Sequence, residues 1–136
     1  MQFQIPDTDL TFDIPDDWWR FAEMDGFRPH HPNCYIWPSE AATERIDFSI
    51  VPISAIEPPT QRMATKPELA KARVVPILLA IRSGNPLPPV QLEAIGNDRY
   101  QLVAGFHRYC ASIAAGFEQI PAVFHEIAWC KPRSGR

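Results

Sequence analysis

Tyr100-Gln-Leu-Val-Ala-Gly105-Phe-His-Arg-Tyr-Cys110-Ala-Ser-Ile-Ala-Ala115-Gly-Phe-Glu-Gln-Ile120-Pro-Ala-Val-Phe124 is the stretch from which the rest of the chain can be placed. Tyr100, Leu102 and Val103 are strand formers and end at Gly105; Phe106, Tyr109, Cys110, Ile113, Ala114 and Phe117 then recur at helical spacing. Gly116 stands where such a helix stops, and Ile120 to Phe124 predict a second short strand. Pro121 places that strand's start at its first position, or the strand on a sheet edge.

The chemistry is concentrated at the junction. A glycine ending a strand lets backbone N–H groups approach a ligand, and the helix N-terminus after it presents unpaired donors with a partial positive charge. His107 and Arg108 occupy the first helical turn, where acidic residues are favoured. The spacing permits two readings. Either an anion, most simply a phosphate, sits between these side chains and the backbone, or His107 packs locally and Arg108 pairs with a surface carboxylate.

The flanking segments extend the pattern in both directions. Val90 to Ile95 alternates as a strand, and Gly96-Asn97-Asp98 turns it into the strand that ends at Gly105. Upstream, Pro67 to Ile81 reads as a helical stretch stopping at Ser83-Gly84-Asn85, with Pro76 predicting either a kink or two short helices meeting near Arg73 to Pro76. Thr60-Gln61-Arg62 reads as a polar loop, and Ile46 to Ile53 as a core strand. Phe3, Ile5, Leu10 and Phe12 suggest one or two short strands broken at Pro6 and Asp7. Ile14 to Met24 reads as a short apolar helix with an acidic first turn, ended by Gly26. Neighbouring Trp18 and Trp19 diverge by roughly 100° on a helix, so only one points into a small core. Residues 39–45 suit a helical turn, and Tyr35 to Pro38 a short buried or lid-like piece.

With 136 residues, the chain allows one domain with a core of its own. Net charge is only -3, with no block of like charge, so composition announces neither nucleic acid nor membrane as a partner. The chain has no long apolar run and no leader pattern at its N-terminus, which leads us to expect a cytoplasmic protein. Cys34, Cys110 and Cys130 are dispersed, predicting free thiols, with Cys110 a small buried residue. His30, His31 and Cys34 offer potential metal ligands, but adjacent residues of an extended segment point apart, so no metal site is expected there.

From about Val51 to Ile127 the chain resembles the ParB N-terminal domain and sulfiredoxin superfamily. The residues that carry the likeness are Val51 to Ile56, Gln61-Arg62, Gly84 to Val90, Gly105-Phe-His-Arg-Tyr109 and Ile120-Pro-Ala122. The resemblance implies an α+β fold, a small mixed sheet packed with helices. Its domain would span 46–130, after an N-terminal extension over 1–45 packed on it and before a frayed basic tail over 131–136. It also implies that ATP, ADP or CTP binds with magnesium. Carried over residue by residue, Gly105, Phe106, His107 and Arg108 would form the phosphate turn. Gln61 and Arg62 would form a second loop, and Lys71 or Arg73 would supply a phosphate-facing cation.

Departures from the family pattern restrict the activities that the resemblance implies. Sulfiredoxin needs a thiolate where this chain has Phe106, so sulfinic acid reduction is not expected. The chain ends soon after the shared unit, so sequence-specific DNA binding is not expected of it, although a partner protein would be able to supply it. Phosphoryl hydrolysis or transfer would need a base, and Glu57 is the candidate. The alternative is a non-catalytic binding or partitioning-associated module that grips a protein partner through Trp18, Trp19 and Trp37. DNA cleavage ranks third, because no carboxylate and histidine set for a two-metal site is evident.

Overall fold

The structure, a computed structural model, describes residues 1–31, 49–60, 62 and 69–124. Cys34, the Tyr35 to Pro38 piece, the turn at 39–45, the start of the Ile46 strand, Gln61, the Pro67 entry to the helical stretch and everything beyond Phe124 lie outside the described residues.

An N-terminal hairpin pairs β1 (Gln2–Gln4) with β2 (Thr11–Asp13) and sets Phe3 opposite Phe12, their rings 5.6 Å apart. Helix α1 (Asp16–Phe21) comes next, begun by Pro15 with Asp16 and Asp17 in its first turn. Trp19 is buried against Phe3 at 5.3 Å, and Trp18 is half-buried. The helix face left to solvent carries Phe21, at 66% exposure. Trp19 is therefore a core residue, which corrects its expected role in gripping a partner.

The main sheet contains β3 (Ser49–Pro52), β4 (Val90–Gly96), β5 (Arg99–Ala104) and β6 (Gln119–Phe124), in the order β3-β6-β4-β5. β6 runs antiparallel to β3 and parallel to β4, while β4 and β5 form an antiparallel hairpin. The hairpin turn is Asn97-Asp98, both at positive φ, as a two-residue turn matching the strand twist requires.

β6 is a central strand and Pro121 is its third residue, so the proline lies neither at the strand's first position nor on an edge, the two places its sequence suggested. Two features of the register accommodate it. The Ile53 N–H donates to Glu118 O at 3.0 Å, which makes Pro52↔Gln119 a non-hydrogen-bonded pair and, two residues along, Ile50↔Pro121 another. On the other side the ladder with β4 begins only at Ala122. Proline's missing donor is thus absent from both ladders.

After β3 a 3₁₀ turn (Ile53–Ala55) carries the chain to the far edge of the sheet, where Ile56 bridges to Tyr100 and the Glu57 N–H donates to Tyr100 O at 2.7 Å. Thr60 and Arg62, expected in a polar loop, are helical. Helix α2 (Lys71–Ser83) is one uninterrupted element with Pro76 inside it, so of the two expectations, a kink or two short helices, the second does not hold. It starts at Lys71 rather than near Pro67, so the proline lies early in the helix and removes one backbone bond, to Ala72 O. Burial of Val74, Val75, Leu78 and Ile81 on one stripe holds the helix across that gap.

Helix α3 (Phe106–Ala115) continues directly from β5 and ends at Gly116, where the Gly116 and Phe117 N–H groups cap Ile113 O and Ser112 O. Tyr109, Cys110 and Ala111 are fully buried, and one hydrophobic cluster joins α2 and α3 to the sheet and to Ile5, Phe12, Ile14, Trp19 and Met24 of the N-terminal segment. Burial pushes the Cys110 thiol up to about 12, so it is an inert core residue, as its position on the apolar face predicts.

Candidate functional site

The strand-to-helix junction is set by a steric constraint. Gly105 has φ +104, and a Cβ there would stand 2.8 Å from Cγ1 of the buried Val90. Only glycine lets β5 turn into α3 while its backbone lies against β4. No side chain caps the first turn of α3, and none caps the first turn of α2. The positive ends of two helices therefore reach the same region with backbone donors to offer.

A cavity of about 280 Å³ opens there. Its floor runs from Leu102 through Gly105 to His107, and Pro59, Arg62 and Arg73 form its walls. Arg62 lies over the Phe106 ring, its Cζ 4.3 Å from the centroid, so the phenyl serves as a platform for a guanidinium. Among the described lining residues none is acidic.

His107 joins the two helices. It is buried, and its Nε2 accepts the Ala70 N–H at 3.1 Å just before α2 begins. With Nε2 as acceptor, the proton of the neutral ring is on Nδ1. Burial, and then the fields of Arg73 and Arg62, lower the His107 pKa below its usual value. His107 therefore lines the cleft as a neutral imidazole near pH 7. The positive charge on the described lining comes from Arg62 and Arg73.

The other expected residues divide. Arg73 lines the cleft, whereas Lys71, also exposed at the start of α2, does not. Arg108 lies beside Gly105 but donates from Nη1 to Pro88 O at 3.1 Å and is not among the lining residues. Glu57 also lies outside the lining. Its Oε2 takes Arg99 Nε at 2.8 Å and Nη2 at 2.7 Å, while Arg99 Nη1 donates to Ser54 O at 2.7 Å. That fork fastens the 3₁₀ turn to β5 and engages the carboxylate expected to act as a base. Gln61 lies outside the described residues. The sequence reading missed Pro59, the Leu102 to Ala104 floor and the Ala70 contact. The first two carry no chemical signature, and the third is a backbone donor 37 residues from its acceptor.

Trp18 does not cover this cleft. It lines a different surface hollow, with Pro15, Phe12 and Leu69. Trp37 lies outside the described residues.

Comparison with known proteins gives a family match and distant relatives. The model of the ParB N-terminal domain matches residues 38–131. The nucleoid occlusion proteins of Bacillus thuringiensis (strain Al Hakam) and Bacillus mycoides (strain KBAB4) are each 27% identical over 77 residues, 57% of this chain and 26% of theirs. The chain therefore spans about a quarter of the length of the curated relatives it matches. Among solved structures, sulfiredoxin from Arabidopsis thaliana aligns with a TM-score of 0.49 and 20% identity, covering 67% of this chain and 99% of that one.

Proposed function

This chain belongs to the ParB N-terminal domain family, and we propose that its cleft at Gly105 binds the phosphates of a nucleotide, ATP, ADP or CTP. The observation that carries the reading is the convergence of Arg62 and Arg73 on a glycine junction between two helix N-termini, with no described acidic residue on the wall. A multiply charged anion is the ligand such a site favours, because guanidinium forks and backbone N–H groups both donate to phosphate oxygens. A cavity of about 280 Å³ is at the small end for a whole nucleotide. It suits the phosphates, with the base outside, against the rim at Pro59 and Val103.

The described wall supplies no carboxylate to hold magnesium, so an accompanying ion would be held by phosphate oxygens and water. With Glu57 tied to Arg99 outside the cleft, no described carboxylate is placed to deprotonate a nucleophile. The geometry thus favours a nucleotide-binding module over a phosphotransferase. The name of its relatives, nucleoid occlusion protein, supports a role beside chromosomal DNA in the cytoplasm, with DNA contact made through a partner or a further domain. No helix among the described residues is long and apolar enough to cross a membrane.

Calorimetric titration of ATP, ADP and CTP, each with and without magnesium and each beside its nucleoside, tests the reading. At least one nucleotide is expected to bind while its nucleoside does not, with no phosphate released over hours. Nucleosides binding as tightly as nucleotides, or no binding at millimolar concentration, would refute it.

A further inference from the structure

A larger cavity lies at the other end of α2, about 450 Å³ in volume. Arg82 follows Arg73 by nine positions, so the two are about 13.5 Å apart along the helix axis. The floor here is apolar, with Ile81 beside Phe27 and Phe117, whose rings meet edge to face at 6.5 Å. The rim is cationic and polar, formed by Arg28, Arg82, His30 and His31.

Arg82 is held in place. Its Nε donates to Glu23 O at 2.9 Å, which fixes the plane of the guanidinium. Glu23 has φ +59, a conformation that a non-glycine residue keeps only where its surroundings impose it. The strained turn thus positions the carbonyl that orients Arg82.

We propose that this cavity is a second site, for a small organic anion carrying one carboxylate on an aromatic or branched apolar body. Charge decides for a monoanion. Among the described lining residues, the guanidinium groups of Arg28 and Arg82 outnumber the one carboxylate, Asp25, by one. The cleft at Gly105 has two arginines and no described acid, which suits phosphates. The Phe27 and Phe117 edges and Ile81 offer the apolar body a floor that a free phosphate or acetate would leave unused.

Amide chemical-shift titration of the isotope-labelled full chain tests the proposal with three probes: phenylacetate, its neutral isostere phenylacetamide, and acetate. Phenylacetate is expected to give saturable shifts at Phe27, Ser83 and Phe117, with phenylacetamide and acetate at least about tenfold weaker, as loss of one charge-assisted contact or of the ring requires. Arg28→Gln and Arg82→Gln, both at exposed positions, should each weaken phenylacetate about tenfold on the same grounds. Equal binding of acid and amide, affinity unchanged in both variants, or no saturable shift at these residues would overturn it.

Discussion

Replacing Gly105 by alanine should be among the most damaging single-methyl changes in the molecule. Two costs add. A φ of +104 is a region that residues with a Cβ rarely occupy, which costs about 1–3 kcal/mol. The added carbon would also stand 2.8 Å from Val90 Cγ1, 3.0 Å from Val90 Cβ and 3.1 Å from Arg108 Nη2. Val90 is only 1% exposed and cannot yield outward, so overpacking adds about 1–3 kcal/mol. Gly96 provides the control, with φ +98 and nothing within 4 Å of its added Cβ, so Gly96→Ala carries the backbone cost alone. Urea unfolding followed by tryptophan fluorescence should place Gly105→Ala about 2 kcal/mol below Gly96→Ala, and thermal unfolding roughly 8 °C below it. Equal stabilities for the two variants would refute the claim that β5 turns into α3 against the side chain of Val90.

Other perturbations separate the roles of the residues in and around the cleft. Arg73→Gln should weaken nucleotide binding by about 1.5–3 kcal/mol without a change in the urea midpoint, while Lys71→Gln should leave affinity within a factor of about three. Glu57→Gln should cost no more than about 1 kcal/mol of stability, because the ion pair with Arg99 is partly exposed, and should leave calorimetric nucleotide affinity unaltered. Because the His107 pKa is lowered in the folded state, the unfolded chain takes up that proton first as pH falls. The stability associated with neutral His107 is therefore complete above about pH 6.5 and is lost between there and the lower folded pKa. His107→Gln should flatten that part of the urea midpoint against pH curve, and an unaltered slope would show that His107 is not its source. In a Cys34→Ser, Cys130→Ser background, Cys110 should resist thiol reagents until the chain unfolds.

The parts of the fold set by local pattern could be read from the residues. Gly105 and Gly116 bracket α3 because both occupy left-handed conformations, and the strand at Val90 shows its alternation in sequence. What depends on distant neighbours could not be read. Pro121 suggested a strand start or an edge because sequence carries no information on which strands flank it, and only the register explains why a central position accepts it. Pro76 suggested a kink or a break because the burial stripe that holds α2 together is a tertiary property. The candidate site shows the same division. The strand-to-helix turn at Gly105 was legible in the sequence, but the Arg62 stack on Phe106 joins segments more than forty residues apart, and the charge state of His107 depends on burial and on Arg73. Helix spacing let only one of Trp18 and Trp19 point into the core, and Trp19 is the buried one, while the most exposed aromatic on that helix is Phe21.

The most direct test of the phosphate site is an amide chemical-shift map of the full chain on addition of inorganic pyrophosphate, which carries the charge of a nucleotide without its base. The largest saturable shifts are predicted at Gly105, Phe106 and His107 and at Ala72 and Arg73, and they should be reduced in Arg73→Gln. Shifts confined to Phe27 and Arg82 at the far end of α2, or no saturable shift at all, would contradict the assignment of the phosphates to the Gly105 junction.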